Sequence, residues 1–174
     1  MVDYVTAFRA DLDTAEPALR GISDAAAGFP VAPGKWSRKE IIGHLIDSAS
    51  VNHERFLRAS QSDDLVFPGY DQDAWVAAQQ YSTRSWQDLI DLWSGFNRHL
   101  LHVMSTTPAD QRHRRRLRHS LDVIAFRPVS PDVPATLDYL MSDYVVHLEH
   151  HLTQILGDSW AFGHADGTSG GRNE

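Results

Sequence analysis

Cysteine is absent from this 174-residue chain. The absence excludes disulfides, thiolate zinc ligands and a cysteine nucleophile, so any bound metal must use nitrogen and oxygen ligands. Long hydrophobic runs are also missing, because no stretch approaches the roughly 20 apolar residues of a membrane span. The N-terminus MVDYVTAFRADLD lacks the basic-then-apolar order of a signal peptide. These absences predict a cytoplasmic protein without a membrane partner.

Basic residues are fewer than acidic residues in this chain. The chain has 16 basic and 23 acidic residues, which give a formal charge of −7 with histidine neutral. This balance argues against broad binding to nucleic acids or membrane surfaces. The length fits one ordinary domain, predicted over residues 1–160. The ending HADGTSGGRNE is rich in glycine and polar residues, so residues 161–174 are predicted to form a flexible tail.

Repeated strand patterns are absent as well, whereas four segments carry apolar residues at alternating steps of three and four, as on one helix face. Ser37 and Glu40 form a capping-box pattern, which predicts that the second helix starts at about Arg38. Gly157 is the expected stop of the fourth helix. The predicted fold is an all-α four-helix bundle. Its seams contain Phe8, Leu12, Ala15, Leu19 and Ile22; Ile41, Leu45, Ala49 and Phe56; Trp86, Leu89, Trp93, Phe96, Leu100 and Val103; and Leu137, Leu140, Tyr144, His147, His151 and Ile155.

Two long connections separate the later helices. Residues 61–82 mix four aromatics with four aspartates, which predicts an ordered loop between the second and third helices. Between Pro108 and Pro134, a basic run meets a β-branched and aromatic segment, which favours a small hairpin or an extended excursion. The basic residues 112–119 are interpreted as a solvated surface, with binding of an anionic substrate or phosphate as the alternative.

Histidines supply the candidate chemistry. In HLEHHLTQIL, His147 and His151 are four residues apart, so both can present a ring nitrogen on one helix face. His150 points about 80° away from their mean direction and is assigned a flanking place. His44 lies beside the apolar line of the second helix and offers a third nitrogen. The alternative is that these rings are polar groups satisfied within the core.

Three nitrogens from two helices predict an open site. Such a site leaves positions for water or substrate, as catalytic centres do, and ligand type alone admits zinc, nickel or another divalent first-row ion. Asp47, Asn52 and Arg55 follow His44 along roughly the same helix face. They are candidates for orienting ligands or binding substrate, and an interhelical salt bridge or cap is the alternative. His99 and His102 are predicted to lie on the flank of the third helix.

Three stretches resemble the DinB-like proteins, and most closely their YfiT-type branch of metal-dependent hydrolases. They are KWSRKEIIGHLIDSASVNHERF, YDQDAW and TLDYLMSDYVVHLEHHLTQI, within residues 35 to 156. The resemblance implies a four-helix bundle that often forms a homodimer, with a metal held by His44, His147 and His151. Relatives include metal-dependent S-transferases that join low-molecular-weight thiols, such as bacillithiol or mycothiol, to electrophiles.

One segment departs from that pattern. YfiT-type sequences carry a short element of histidine, proline, glutamate and glycine before the last helix, whereas this chain has HSLDVIAFRPVSPDVPAT. No catalytic residue or substrate is therefore transferred from the family to this loop.

The leading hypothesis is a metal-dependent enzyme whose ion lowers the pKa of a thiol cosubstrate or of water, for attack on a small-molecule substrate. A thiol S-transferase and a hydrolase both remain open. Arg55, Tyr70 and Trp75 are candidates for lining the pocket. The alternative from another class is a non-enzymatic helical bundle that binds a ligand or a protein partner, with its histidines as core polar groups.

Overall fold

The computed structural model describes residues 3–157 and residue 160. Across these residues the chain is helical, and no strand longer than an isolated bridge is present. The elements in chain order are α1 (Tyr4–Arg20), α2 (Asp24–Ala27), α3 (Arg38–Gln61), α4 (Gln72–Gln79), a 3₁₀ helix (Tyr81–Thr83), α5 (Trp86–Thr106), α6 (Ala109–His113), α7 (Leu121–Ile124) and α8 (Leu137–Leu156).

The four long helices α1, α3, α5 and α8 form the bundle. Both α1 and α3 pack against α5 and α8. The predicted seams supply the core, in which Trp86 and Trp93 are the largest fully buried side chains. Full burial of a large apolar side chain contributes roughly 1.5–3 kcal/mol, so these seams hold the helices together. The predicted all-α four-helix bundle is confirmed.

Local signals set the ends of the helices that carry the histidines. Ser37 Oγ accepts from the backbone N–H of Glu40, and Glu40 Oε2 accepts from the backbone N–H of Ser37 at 2.7 Å. This capping box starts α3 at Arg38, as predicted. Helix α8 ends at Leu156, and Gly157 follows with a φ of 95°, a value that glycine adopts without strain. Both predicted boundaries are confirmed.

The connection between α3 and α5 is ordered, as predicted, but it contains a helix that was not predicted. Asp71 caps α4, because its Oδ1 accepts from the backbone N–H of Ala74 at 3.0 Å. Gln80 ends α4 with a left-handed φ of 51°. Tyr81 then begins the 3₁₀ turn and returns the chain to α3. This segment therefore covers one side of α3.

The connection between α5 and α8 corrects one prediction. The hairpin is wrong: in the described chain this stretch forms α6, α7 and isolated bridges, such as the one between Arg116 and Ala135. Most of the basic run is exposed, in agreement with the solvated-surface interpretation, but Arg116 is only 2% exposed. Its guanidinium donates to the backbone carbonyls of Ala59 and Ser62. These hydrogen bonds tie the basic segment to the C-terminal part of α3.

Among the described helices, none is long and apolar enough to cross a membrane. The predicted tail over residues 161–174 lies outside the described residues.

Candidate metal centre

Helices α3 and α8 bring three histidines together. His44 lies on α3, and His147 and His151 lie one turn apart on α8. Each offers one ring nitrogen, and the three nitrogens lie within 4.8 Å of one another. His44 is 1% exposed, and the other two rings are partly buried. The structure thus assembles the three residues nominated from the sequence.

The spacing of these nitrogens suits a small divalent ion. Nε2 of His44 and Nε2 of His147 are 3.2 Å apart. Two histidine nitrogens bound to a tetrahedral zinc ion at about 2.0–2.1 Å are about 3.3 Å from each other. Imidazole nitrogens also suit nickel and copper. The donor set and the spacing of this pair therefore fit a metal ion, and the third nitrogen lies within 4.8 Å of both.

The rings are held in their neutral form. Burial, with a smaller contribution from the nearby His151, lowers the pKa of His44 to about 4. Burial, followed by the neighbouring histidines, holds the pKa of His147 well below its ordinary value. Burial also lowers the pKa of His151, although its hydrogen bond to Gln154 opposes this shift. Because a metal binds neutral imidazole, no proton has to be displaced from these rings near neutral pH.

Gln154 orients the third ring. It lies three residues after His151 on α8, and its Oε1 accepts from His151 Nδ1 at 2.9 Å. This hydrogen bond places the proton on Nδ1, so that Nε2 keeps a free electron pair for a metal ion. The amide nitrogen of Gln154 donates to Nε2 of His150 at 3.1 Å. His150 therefore touches the centre through Gln154 and lies outside the group of three nitrogens.

The other two rings are positioned by aromatic packing. The ring of Trp36 lies 5.3 Å from that of His44, and the ring of Phe126 lies 5.4 Å from that of His147. Nδ1 of His44 is buried and has no hydrogen-bond partner among the described residues. Metal-binding histidines usually donate this second N–H to an acceptor. At His44, therefore, packing fixes the ring orientation in place of a hydrogen bond.

An inner cavity of about 250 Å³ opens beside His44 and His147. Arg55 and Tyr70, both nominated from the sequence, lie in its wall. Burial raises the pKa of Tyr70 to about 12, so its hydroxyl stays protonated near neutral pH. Trp75, also nominated, packs against the Tyr70 ring at 4.8 Å and is 40% exposed, outside the residues that line the cavity. The remaining lining residues are Ser48, Asn52, Gly69, Gln72, Val123, Ile124, Ala125, Phe126, Leu140, Asp143 and Tyr144.

A second hollow, of about 610 Å³, lies on the side of His151 and Gln154. Trp36, which packs against His44, also forms part of its wall. Gln72 lines both spaces. The three histidines consequently stand between two cavities.

Asp47 lies three residues after His44 but faces the α4 segment. Its Oδ1 accepts hydrogen bonds from Gln79 Nε2 at 2.5 Å and from the Tyr81 hydroxyl at 2.7 Å. Burial raises the pKa of this carboxyl group, and the two hydrogen bonds oppose the shift. Asp47 forms neither the salt bridge nor the helix cap considered from the sequence. It ties the covering segment to α3 instead.

Gly43 makes this attachment possible. The Tyr81 ring lies directly against the backbone at residue 43, so that a Cβ atom there would overlap the ring. Glycine is the residue that permits such a close approach. The hydrogen bond from Tyr81 to Asp47 therefore depends on a missing side chain next to His44.

Sequence reasoning missed Phe126 and Gln154 as residues of the centre. Gln154 has a local signal, because its spacing from His150 and His151 puts it beside both rings on one helix. Phe126 has none, because it reaches His147 from a proline-bounded loop through tertiary packing.

A second histidine group lies on the α3–α5 surface. Nε2 of His53 and Nε2 of His99 are 3.3 Å apart, and the ring of His102 lies 6.5 Å from that of His99. His99 and His102 are exposed, as predicted. We call His53, His99 and His102 the surface histidines, and His44, His147 and His151 the buried histidines.

Comparison with known proteins finds relatives that are similar in sequence and in fold. The curated protein "Putative metal-dependent hydrolase YfiT" of Bacillus subtilis (strain 168) is 23% identical over 145 residues, covering 79% of this chain and 72% of that protein. The solved structure of Bacillus subtilis YfiT, which has an unusual four-helix bundle topology, aligns with a TM-score of 0.70 at 18% identity, over 87% of this chain and 81% of YfiT.

A second solved structure shares the fold. The mycothiol-dependent maleylpyruvate isomerase aligns with a TM-score of 0.60 at 15% identity, over 86% of this chain but only 59% of the isomerase. Finally, the family model of the DinB superfamily matches residues 7–155. A match over that much of the chain shows that the chain belongs to the DinB superfamily, within which it is similar to YfiT in sequence and in bundle topology.

Proposed function

We propose that the chain is a metal-dependent enzyme in which His44, His147 and His151 hold a divalent ion, with zinc or nickel preferred. The observation that carries this proposal is the grouping of three ligand nitrogens within 4.8 Å at the wall of a cavity. Three protein ligands on a tetrahedral ion leave one position for a reacting molecule. When bound, such an ion lowers the pKa of a coordinated thiol or water.

The chain's own residues prepare the site for this chemistry. Burial keeps the three imidazoles neutral, and Gln154 fixes the tautomer of His151. Trp36 and Phe126 cover two of the rings and limit the access of water to them. Partial burial of the rings strengthens the electrostatic interactions among them and with a bound ion.

The two cavities favour a reaction with two substrates. The inner cavity reaches His44 and His147, whereas the outer hollow reaches His151. A hydrolase needs one organic substrate and water, but a thiol S-transferase must seat two organic molecules at one centre. In that transfer the thiol loses its proton, a carbon–sulfur bond forms, and the leaving group departs with its bonding electrons. The isomerase of similar fold is named for its dependence on mycothiol, which also supports a thiol cosubstrate.

Metal content tests the centre. Protein purified without added metal should contain about one divalent ion per chain, and the His147→Ala variant should lose it. The exposed His102→Ala variant, on α5, is the matched control and should keep it. Equal and negligible metal in the wild type and both variants would contradict the proposal.

Turnover separates the two chemistries. Metal-loaded protein is incubated with an alkylating electrophile and several cellular thiols, and in parallel with a panel of esters and amides. We expect loss of free thiol that depends on both the electrophile and His147. Turnover of esters or amides without a thiol would assign a hydrolase instead. Ligand binding that survives alanine at all three buried histidines would support a non-enzymatic binding module.

A further inference from the structure

Arg55 places a positive charge in the wall of the inner cavity. It lies on α3, eleven residues after His44, so the two Cα positions are about 16 Å apart along the helix. The residue is only 5% exposed. Arg55, His44 and His147 all line the same inner cavity. A molecule in the cavity therefore meets a cation at one end and the candidate metal centre at the other.

The hydrogen bonds of Arg55 are incomplete. Nη2 donates to the Pro68 carbonyl at 2.9 Å, and Nε is buried without a partner among the described residues. No ion pair within the described chain includes Arg55. The acidic side chain one residue before it, Glu54, is paired with Arg58 at 2.7 Å. Arg55 thus lacks the carboxylate that normally accompanies a buried guanidinium.

Arg116 shows what a satisfied buried arginine looks like in this fold. Its Nη1 and Nη2 atoms donate to backbone carbonyls, including that of Ala59 at 2.8 Å, and its Nε donates to the Ser62 carbonyl at 3.4 Å. All three of its nitrogens therefore have partners. Arg55 has one such partner and borders empty space. The contrast points to a ligand for Arg55 and to a structural role for Arg116.

No other group on the cavity wall neutralises Arg55. Asp143 is the carboxylate in the wall, and its two oxygens accept from the backbone N–H groups of Phe126 and Arg127 at 2.8 and 2.9 Å. The side chain of Arg127 also pairs with it at 3.1 Å. Tyr70 stays neutral because burial raises its pKa to about 12. The charge of Arg55 remains for an incoming anion.

We propose that Arg55 binds a carboxylate of the substrate and so holds a small organic acid with its other end at the buried histidines. This inference rests on the proposed function and names the substrate class of that site. The planar fork of a guanidinium matches a carboxylate, and hydrogen bonds between charged groups are the stronger ones. A cavity of about 250 Å³ is below the roughly 300–1,000 Å³ of drug-sized sites, so the acid is small.

Arg55 also borders an outer groove, which contains the acidic residues Glu54 and Asp64. Two blocking variants tell the inner cavity from this groove. Val123 lines the inner cavity and is exposed, whereas Val66 lines the groove. Val123→Trp should weaken binding of the acid, and Val66→Trp should leave it unchanged. The reverse result would overturn the placement of the acid.

Calorimetric titration of succinate and glutarate, with their diamides as neutral controls, tests the charge requirement. The titration uses both chelator-treated and metal-loaded protein. Arg55→Met should weaken diacid binding about ten- to hundred-fold, the value of a hydrogen bond to a charged group. The matched control Arg58→Met, one turn from Arg55 and exposed, should not. Arg55→Lys keeps the charge without the fork and should fall between the wild type and Arg55→Met.

The outcomes separate this inference from the metal proposal. Diacid binding that depends on Arg55 in metal-free protein supports the carboxylate site even if no metal is ever bound. Metal bound by the histidines, with no diacid binding or with equal binding of the diamides, overturns the carboxylate site alone. Tighter binding of inorganic phosphate than of the diacids would reassign Arg55 to a phosphate.

Discussion

The buried and the surface histidines contain two closely similar pairs of ring nitrogens. In each group a histidine of α3 approaches one from another helix, with Nε2 atoms 3.2 Å apart in the first case and 3.3 Å in the second. The buried group adds a third nitrogen, aromatic cover and a cavity. The exposed pair lacks such a third nitrogen within reach in the described chain. The close approach of two rings therefore does not distinguish a candidate metal centre from a surface contact. A third ligand nitrogen and burial of the site do distinguish it.

The largest expected difference between the groups is in metal affinity. His44→Ala removes one of three buried ligands, so zinc affinity should fall at least about a hundred-fold. His53→Ala, at the surface, should leave the tightest binding step unchanged. Competition with a chromophoric chelator measures both affinities. Similar losses in the two variants would erase the distinction between the groups.

Stability of the metal-free protein should depend on pH through the buried group. The pKa of His44 is about 4 in the folded state, below its ordinary value of 6.5, so the unfolded chain takes up the proton first. The contribution of neutral His44 to the free energy of unfolding is therefore fully present above about pH 6.5 and is lost as the pH falls towards 4. Between pH 7 and pH 4, the wild type should lose roughly 3 kcal/mol more than His44→Gln.

Urea unfolding of chelator-treated protein at the two pH values measures this difference. His53→Gln is the surface control. Burial lowers the pKa of His53 as well, but its more exposed ring predicts a smaller effect of the same sign. An equal effect in both variants would contradict the role of burial.

A smaller effect is expected at Gln154, the hydrogen-bond partner of His151. Gln154→Ala should weaken metal binding about ten-fold, because the ring of His151 loses the acceptor that fixes its tautomer. Gln154→Glu restores an acceptor and should recover the affinity. Titration with nickel, followed by its visible spectrum, checks the series. Unchanged affinity in Gln154→Ala would show that packing alone orients His151.

The smallest effect belongs to the surface group. His99→Ala removes an exposed ring that meets His53 at 3.3 Å, and substitutions of this kind usually change the unfolding free energy by less than about 0.5 kcal/mol. Urea unfolding at pH 7 provides the measurement. A loss of several kcal/mol in the unfolding free energy would mean that the surface histidines also stabilise the fold.

The sequence predicted the features that local physics controls. The capping box at Ser37, the stop at Gly157 and the one-turn spacing of His147 and His151 each depend on a few neighbouring residues. Apolar periodicity was sufficient to predict a bundle of four long helices. His44 was placed near the α8 pair only because its helix face and the bundle together limit where it can lie.

Features decided by contacts distant in sequence were beyond this reasoning. Arg116 lies in a basic run that looks solvated, yet it is buried and donates to backbone carbonyls at the C-terminal end of α3. Phe126 reaches His147 from a loop that was predicted to be a small hairpin or an extended excursion. Trp75 and Tyr70 are close in sequence, but only Tyr70 turns into the cavity. These placements follow from how whole segments dock, which no window of neighbouring residues encodes.

Gly43 has a practical meaning for anyone who redesigns this protein. The position next to His44 carries no side chain and no charge, so a mutagenesis library built around the candidate ligands would pass over it. Even one added methyl group, however, meets the Tyr81 ring and strains its bond to Asp47. Tolerance to substitution around the histidines is consequently limited by free volume at residue 43, and a library should keep that glycine fixed while varying the cavity wall.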